Sequence, residues 1–273
     1  MSTSIPTDID ALKNRIRATW TAGDFGVIAK MVEEANEEVV AHLNLQPGVK
    51  VLDVACGTGN SAIPAARRGA DVTGIDIAPN LLEQARARAQ QAGVPARFQE
   101  GDAEEIAFPD ASFDVVISIY GAMFAPRPER VAAEFKRVCR SGGRIVMGNW
   151  TPDSFAGASF KLTARYIPPP PGMAPPVLWG DEATVRQRFG EGLSDLNLRK
   201  RIATMKLPLS VPEAFDHYSR YFGPTIRTLE ALDAEGKKGF RRDFEALLTA
   251  HNRATDGTVR VESEFLEVVA TRA

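Results

Sequence analysis

Short apolar runs alternate with stretches of helical periodicity along residues 49–150. The apolar runs predict strands at 49–54, 70–75, 96–99, 113–119 and 144–148. Between them, apolar residues spaced three or four positions apart predict helices at 79–92 and 128–139. Strands that are joined by helices of this length indicate an α/β fold, in which a parallel sheet is covered by helices on both faces.

Two predicted helices precede this alternating region, and a less regular segment follows it. Residues 8–20 and 25–43 carry apolar positions at helical spacing. A loop-rich stretch at 151–180 contains proline runs at 168–171 and 175–176, which are stiff and extended. After it, the pattern predicts helices at 181–189, 211–222 and 237–253, and strands at 196–207 and 258–271.

The first predicted strand leads directly into a glycine-rich turn and a helix start. Gly57 and Gly59 lack a Cβ, so the backbone can turn tightly there and approach a ligand closely. The pattern G-x-G-x-x-A over residues 57–62 also occurs in dinucleotide-binding loops. Asp53 precedes the turn, and its carboxylate would repel a pyrophosphate but attract a cationic amino-acid group. The loop therefore favours S-adenosylmethionine (SAM) over NAD, and an NAD(P)-binding oxidoreductase is the alternative.

The segment from Asp53 to Gly59 (DVACGTG) resembles the first motif of class I SAM-dependent methyltransferases, in particular the small-molecule branch that contains the quinone methyltransferases. The resemblance covers residues 49–150. It implies a Rossmann-like, doubly wound sheet that is mostly parallel and has an antiparallel C-terminal strand. Residues 1–48 are then an N-terminal helical lid and 49–150 the SAM-binding core. Residues 151–273 supply the last strands and a helical substrate cap, inserted at 208–257.

Polar residues at the predicted strand ends extend the candidate cofactor site. Asp76 lies nineteen residues after Gly57, which is the spacing of a ribose-binding acid, although a helix N-cap is the structural alternative. The resemblance implies that Asp102 accepts the adenine amino group, where the alternative is an aspartate turn. It also implies adenine contacts from Ile77 and Ala103 and a backbone contact from Ser118. The predicted cofactor residues are Trp20, Asp53, Ala55, Gly57, Thr58, Gly59, Asp76, Ile77, Asp102, Ala103 and Ser118.

No motif marks the residue that would activate a methyl acceptor. His217 lies in an aromatic-rich segment of the predicted cap and is the candidate catalytic base, with a structural role as the alternative. The candidate substrate-binding residues are Tyr120, Trp150, Trp179, Tyr218 and Tyr221. They indicate a flat or apolar acceptor, methylated on oxygen, nitrogen or carbon, and a phenol or quinone precursor is the narrower hypothesis. A non-catalytic SAM-binding protein with a methyltransferase fold is a further alternative.

Composition and charge restrict the partners. The chain has 33 basic and 35 acidic residues, a net charge of −2, and so lacks the positive excess of nucleic-acid-binding proteins. No stretch is apolar enough to cross a bilayer, and no cluster of side chains has metal-ligand spacing. Cys56 and Cys139 are expected to be free thiols. We therefore expect a cytoplasmic protein that acts on a small molecule, with no nucleic acid, membrane or metal; the oligomeric state stays open.

Overall fold

The computed structural model describes residues 8–170 and 173–273. Its strands are β1 (Lys50–Val54), β2 (Asp71–Asp76), β3 (Ala96–Glu100), β4 (Phe113–Ile119), β5 (Cys139–Trp150), β6 (Leu193–Leu207) and β7 (Val259–Arg272). Its helices are α1 (Ile9–Trp20), α2 (Phe25–Ala29), α3 (Glu33–His42), α4 (Ala62–Arg67), α5 (Pro79–Gln91), α6 (Pro128–Val138), α7 (Phe155–Tyr166), α8 (Glu182–Phe189), α9 (Val211–Tyr221), α10 (Gly223–Ala231) and α11 (Ala234–His251). Part of the predicted proline run, residues 171–172, lies outside the described residues.

The strands form one sheet in the order β3-β2-β1-β4-β5-β7-β6. Neighbours from β3 to β5 are parallel, whereas β7 runs antiparallel to both β5 and β6. Residues 51–54 of β1 are buried, which explains their nearly continuous apolar sequence. The predicted mostly parallel α/β sheet with an antiparallel C-terminal strand is therefore confirmed. Because the chain moves outward in opposite directions from β1 and β4, a crevice opens between the ends of these two strands.

The helix predicted over 25–43 is interrupted. A 3-10 turn at Lys30–Val32 separates α2 from α3. Side-chain amides satisfy backbone carbonyls at this break: Asn60 Nδ2 donates to the Ala29 carbonyl over 2.8 Å, and Asn36 Nδ2 donates to the Val32 carbonyl over 2.9 Å. The break depends on a contact with the glycine loop, thirty residues away in the chain, so periodicity alone did not indicate it.

The interpretation of 151–180 as loop was wrong for its first half, which contains helix α7. The Ser154 hydroxyl caps this helix by accepting a hydrogen bond from the Gly157 N–H over 3.1 Å. A Cβ on Gly157 would lie 2.4 Å from the Thr151 carbonyl oxygen, so glycine is needed for the tight entry into the helix. A glycine in the first turn weakens the helical signal, which explains the missed prediction.

Strand β5 begins earlier than predicted. Cys139, which the pattern placed at the end of a helix, pairs with Phe113 of β4 as the first residue of β5. The register then shifts before Arg144 pairs with Val115. Gly142 has a φ of +69°, so the Gly142-Gly143 pair forms this irregularity inside the strand and not a turn before it.

Helices α9, α10 and α11 lie between β6 and β7 in the chain and are called the cap below; α1, α2 and α3 are called the lid. The cap has its own apolar core, in which Phe215, Phe240 and Phe244 pack together with α7 and the ends of β6 and β7. Helix α10 (Gly223–Ala231) is an element that the sequence pattern did not assign. It packs against α1, so the lid and the cap meet each other directly.

The seam between lid and cap is a close backbone contact. Gly23 pairs with Phe222 in an isolated β-bridge, and the Arg227 guanidinium donates to the Ala18 carbonyl over 3.0 Å. A Cβ on Gly223 would lie 1.9 Å from the Thr19 carbonyl oxygen. Residue 223 must therefore be glycine if the lid is to rest against the cap in this position.

Gly223→Ala is expected to lower the free energy of unfolding by about 1–3 kcal/mol, because the added methyl group overpacks the seam. Urea unfolding of the variant measures the loss. Gly239→Ala in α11 is the matched control: its Cβ would meet only the end of the flexible Tyr166 side chain, at 3.0 Å, and alanine favours the helix. If the two variants have equal free energies of unfolding, the contact between lid and cap at residue 223 does not contribute to stability.

Candidate functional site

A cavity lies over the carboxyl ends of β1 to β5, beneath the lid and the cap. The volume of the cavity is about 190 Å³. Residues at or just after the ends of all five parallel strands line it: Asp53, Asp76, Asp102, Tyr120 and Trp150. Residues of α5, of α7, of β6 and of the helices above the sheet, from α1 to α3 and from α9 to α11, also line it. Open α/β sheets bind their ligands at this edge.

Three carboxylates form a row along one side of the cavity. Because β3, β2 and β1 are adjacent, Asp102, Asp76 and Asp53 follow one another at neighbouring strand ends. Asp53 and Asp76 are almost completely buried, at 2% and 6% exposed. The structure thus brings together the three acids that the sequence placed at strand ends.

Asp76 holds the backbone of the glycine loop. Its Oδ2 accepts a hydrogen bond from the Gly57 N–H and its Oδ1 accepts one from the Ala78 N–H, each over 2.8 Å. Burial raises the pKa of Asp76, although these backbone hydrogen bonds oppose the rise. Each oxygen keeps a second lone pair for another donor. Ile77, the next residue, also lines the cavity.

Asp53 is buried without a full set of partners. Its Oδ2 has no hydrogen-bond partner among the described residues. Burial raises the pKa of this carboxyl to about 8, and the charge of Asp76 adds to the rise, against a backbone hydrogen bond from Ala62. A buried carboxylate oxygen at a cavity wall is an acceptor for a cationic ligand group.

The glycine loop leaves an open cradle next to Asp53. Gly57 has a φ of +51°, and the nearest atom to a Cβ placed there would be Phe25 Cε1, at 3.8 Å. Ala55 and Thr58 line the cavity as well. Gly59 is not among the lining residues; its φ of +82° and its contact with Ile63 indicate that it serves the turn.

Asp102 is engaged by a lid residue that the sequence pattern did not indicate. The Lys13 ammonium of α1 contacts the Asp102 carboxylate and lies 3.0 Å from Glu104 Oε2. The Glu104 side chain is fully buried and also pairs with Arg127. Burial lowers the pKa of Lys13, but the hydrogen bonds to Asp102 and Glu104 outweigh this effect and leave the pKa raised. Ala103 lines the cavity beside this ion pair.

Aromatic rings from separate segments cover the other side of the cavity. The Trp20 ring centroid lies 5.2 Å from that of Phe25, 4.9 Å from that of Phe124 and 6.2 Å from that of Phe222. All four residues line the cavity. Phe222 is a lining residue that the sequence analysis missed; it belongs to a run that also carries buried core residues, so composition could not separate it.

Two predicted substrate residues form a stacked pair in the cavity wall. The Tyr120 and Trp150 rings are nearly parallel, with centroids 3.9 Å apart. Tyr120 has a φ of +59°, a strained conformation for a bulky residue. Its buried hydroxyl has no hydrogen-bond partner in the described part of the chain, and burial raises its pKa. Tyr218 of α9 also lines the cavity, and burial raises the pKa of its hydroxyl.

Five of the predicted site residues do not line the cavity: Gly59, described above, and His217, Tyr221, Trp179 and Ser118. His217 lies on α9 beside Tyr221, with ring centroids 5.0 Å apart, while Tyr218 is the residue of this turn that faces the cavity. Burial and the charge of Arg220 lower the pKa of His217. His217 and Tyr221 are not among the residues that line the cavity, so the structure does not support the base assigned to His217 or the substrate contact assigned to Tyr221.

Trp179 and Ser118 also have structural positions. Trp179 is 1% exposed and packs against Phe189 and Arg188, behind the cavity wall. The Ser118 hydroxyl donates to the Val54 carbonyl over 2.7 Å and accepts from the Ala122 N–H over 2.9 Å. These bonds fasten β4 to β1 and to the turn that follows β4, and neither Ser118 nor Trp179 is among the lining residues.

Comparison with known proteins identifies the family. The methyltransferase domain family matches residues 52–147. Phosphatidylethanolamine N-methyltransferase of Cereibacter sphaeroides is 37% identical over 144 residues, which cover 52% of this chain and 69% of that protein. The chain belongs to the class I SAM-dependent methyltransferases. The resemblance that rested on the Asp53–Gly59 motif is thereby confirmed.

Similarity extends beyond the core of this methyltransferase. Rv1405c, an uncharacterized protein of Mycobacterium tuberculosis, is 35% identical over 258 residues, covering 94% of this chain and 93% of that protein. The crystal structure of a putative methyltransferase from Bacillus halodurans C-125 superimposes with a TM-score of 0.58 at 20% identity, covering 87% of this chain and 98% of that chain. The second match supports the fold alone. Membership of this family leaves the oxidoreductase alternative without support.

None of the methyltransferase's helices within residues 8–170 and 173–273 has the length and hydrophobicity needed to cross a bilayer. Cys56 and Cys139 are buried, unpaired thiols.

Proposed function

We propose that this methyltransferase binds SAM along the row of acids and methylates a small aromatic or apolar acceptor in the aromatic part of the same cavity. The observation that carries the proposal is the division of charge along the wall. The charged residues in the described lining are Lys13, Asp53, Asp76 and Asp102. All four lie on α1 or at the ends of β1 to β3, so the part beneath α7 and the cap is uncharged.

The charged side fits SAM residue by residue. The orphaned Asp53 Oδ2 suits a cationic amino-acid group, and the free lone pairs of Asp76 suit a pair of ribose hydroxyls. Asp102, one strand further out, suits the adenine amino group. The open space at Gly57 lets the ligand approach the loop backbone. When bound, SAM supplies an electrophilic methyl group on a positively charged sulfur.

The uncharged side fits a flat or apolar acceptor. Phe155 and Phe160 of α7, Met205 of β6 and Phe244 of α11 line it, together with Trp150 of β5. Charged acceptors would lose hydration here without a partner of opposite sign. Apolar and aromatic surface would instead be buried favourably, at roughly 25 cal/mol per Å².

The residues of this chain would contribute to catalysis mainly by positioning the acceptor and the methyl donor. No histidine, and no carboxylate other than the three in the acid row, is among the described lining residues. Burial raises the pKa of Tyr218 still further above neutral pH, so its hydroxyl is a hydrogen-bond donor and not a base. Holding acceptor and methyl donor in line and excluding water are effects that can account for a large part of the rate. An acceptor that needs little help with proton removal fits this wall best.

Isothermal titration with S-adenosylhomocysteine (SAH) and, separately, with NADH tests the cofactor. We expect SAH to bind and NADH not to bind, because Asp53 would face the anionic pyrophosphate. Binding of NADH alone would overturn the assignment of the glycine loop.

Transfer of labelled methyl from SAM to a panel of phenols, quinols and apolar amines then tests the acceptor class. We expect turnover with uncharged members of the panel and none with carboxylate-bearing analogues of the same ring. SAH binding without any turnover would instead support the non-catalytic SAM-binding alternative. Turnover restricted to charged acceptors would contradict the proposed acceptor class.

A further inference from the structure

We propose that the rings of Trp20, Phe25, Phe124 and Phe222, called the aromatic wall, recognise the positive charge on the cofactor's sulfur and so make the protein prefer SAM over SAH. The inference rests on the proposed function, since it assumes that SAM occupies the acid row. It assigns to lid and cap residues a specificity that the acids cannot provide, because the acids face parts that SAM and SAH share.

The position of the wall follows from the order of the strands. Ribose at Asp76 and the amino-acid group at Asp53 would place the sulfur that joins them near the end of β1. The wall begins there, with Phe25 Cε1 at 3.8 Å from the open Cβ position of Gly57. It ends at Phe124, in the turn that follows β4. Trp20 packs between these two rings and so spans the crevice between β1 and β4.

The wall rings keep accessible surface. Trp20, Phe25, Phe124 and Phe222 are all only partly buried and all line the cavity. The aromatic core of the cap is different: Phe215 and Phe240 are at most 4% exposed and do not line the cavity. Rings whose purpose is packing alone would be covered as these are. Uncovered aromatic surface beside a ligand crevice is suited to a cation, because the ring face is electronegative.

No other cation occupies this position in the described part of the wall. Lys13 shares α1 with Trp20, but its ammonium is held by Asp102 and Glu104 at the far end of the acid row. The nearest acid in the row is Asp53, which the proposed function assigns to the amino-acid group. The sulfonium charge would therefore be met by ring faces and not by a carboxylate.

The aromatic wall also links methyl transfer to product release. Transfer moves the methyl group from sulfur to the acceptor, and the sulfur becomes a neutral thioether. The charge that attracted Trp20 and Phe25 from the lid and Phe222 from the cap is then gone. Contacts across the lid–cap seam weaken in the product state, which favours opening.

The test is the ratio of the dissociation constants of SAH and SAM, measured by isothermal titration without acceptor. Trp20→Leu is expected to lower this ratio about fivefold, chiefly by weakening SAM, as expected for the loss of one cation–π contact. Trp20→Phe keeps a ring and should retain most of the preference. Phe108→Leu, at a half-buried ring that packs on Phe113 outside the cavity lining, is the matched control and should leave the ratio unchanged. Phe124→Leu provides the same test where Trp20→Leu fails to fold.

The outcomes separate the two proposals. If neither SAM nor SAH binds to the wild-type protein, the proposed function itself is wrong. Binding of both ligands with the same ratio in wild type and in the folded Trp20→Leu and Phe124→Leu variants would overturn the aromatic wall alone. An unchanged ratio together with a raised KM for the acceptor would show that these rings hold the acceptor instead.

Discussion

Asp53→Asn is expected to stabilise the unliganded protein at pH 8 and above while weakening its affinity for SAH by about tenfold to a hundredfold. The stability effect follows from the raised pKa of this buried carboxyl, about 8 in the folded chain against 3.8 for the exposed group. Below about pH 4 the carboxyl is protonated in both the folded and the unfolded state, so it does not lower the free energy of unfolding. Between pH 4 and 8 the folded state binds more protons than the unfolded state, so stability falls as pH rises.

The size of the effect is large because Asp53 is completely buried. Each unit of pKa difference corresponds to about 1.4 kcal/mol, so the full shift amounts to several kcal/mol above pH 8. Asparagine carries no charge and avoids this cost. Urea unfolding of both proteins from pH 5 to 9 should show a stability difference that grows with pH and levels off above pH 8. A difference that does not change with pH would contradict the assigned pKa.

The affinity effect has the opposite sign because the ligand needs the charge. A charge-assisted hydrogen bond contributes about 1.5–3 kcal/mol, which corresponds to the expected loss at pH 8. At pH 7 wild-type protein should release a proton on binding SAH, visible as a dependence of the heat on the buffer. Asp53→Asn should show no such release. Asp102→Asn is the contrast: it breaks the contact with Lys13, so we expect no stabilisation of the unliganded protein.

The central strands of the sheet were predictable from the sequence because β1, β2 and β4 are buried on both faces. Continuous apolar runs such as residues 113–119 have few other uses, and β4 has these predicted bounds. Elements that depend on distant contacts were not predictable. Helix α7 contains Gly157, which weakens the local signal but fits beneath the Thr151 carbonyl. The break between α2 and α3 depends on Asn60, which lies beyond the next strand.

The acid side of the site was predictable for a related reason. Residues that follow parallel strands share one edge, so the sequence positions of Asp53, Asp76 and Asp102 determined their common location. Residues on helices lack this constraint. His217 and Tyr218 are adjacent in sequence, yet only Tyr218 faces the cavity. The helix face that is turned inward depends on how the cap packs, which one sequence does not record.

Asp76→Ala is expected to weaken SAH binding at least a hundredfold. Two charge-assisted hydrogen bonds to ribose hydroxyls would be lost, each contributing about 1.5–3 kcal/mol. The loop would also lose the bonds from Oδ2 to the Gly57 N–H and from Oδ1 to the Ala78 N–H. Titration with SAH measures the sum of both effects. Asp71→Ala, at the other end of β2 in an exposed pair with Arg97, is the matched control and should bind SAH normally.

A second pair of ligands separates ribose binding from support of the loop. Wild-type protein should bind adenosine more tightly than 2′,3′-dideoxyadenosine, because only adenosine offers hydroxyl donors to Asp76. If Asp76→Ala only displaces the loop, both ligands should bind more weakly and the ratio of their dissociation constants should stay the same. If the Asp76 carboxylate binds the hydroxyls directly, the preference for adenosine over the dideoxy analogue should disappear in Asp76→Ala. Asp76→Asn retains one acceptor oxygen, so its preference for adenosine should be intermediate between those of the wild type and Asp76→Ala. A full preference in Asp76→Asn would show that another group binds the ribose.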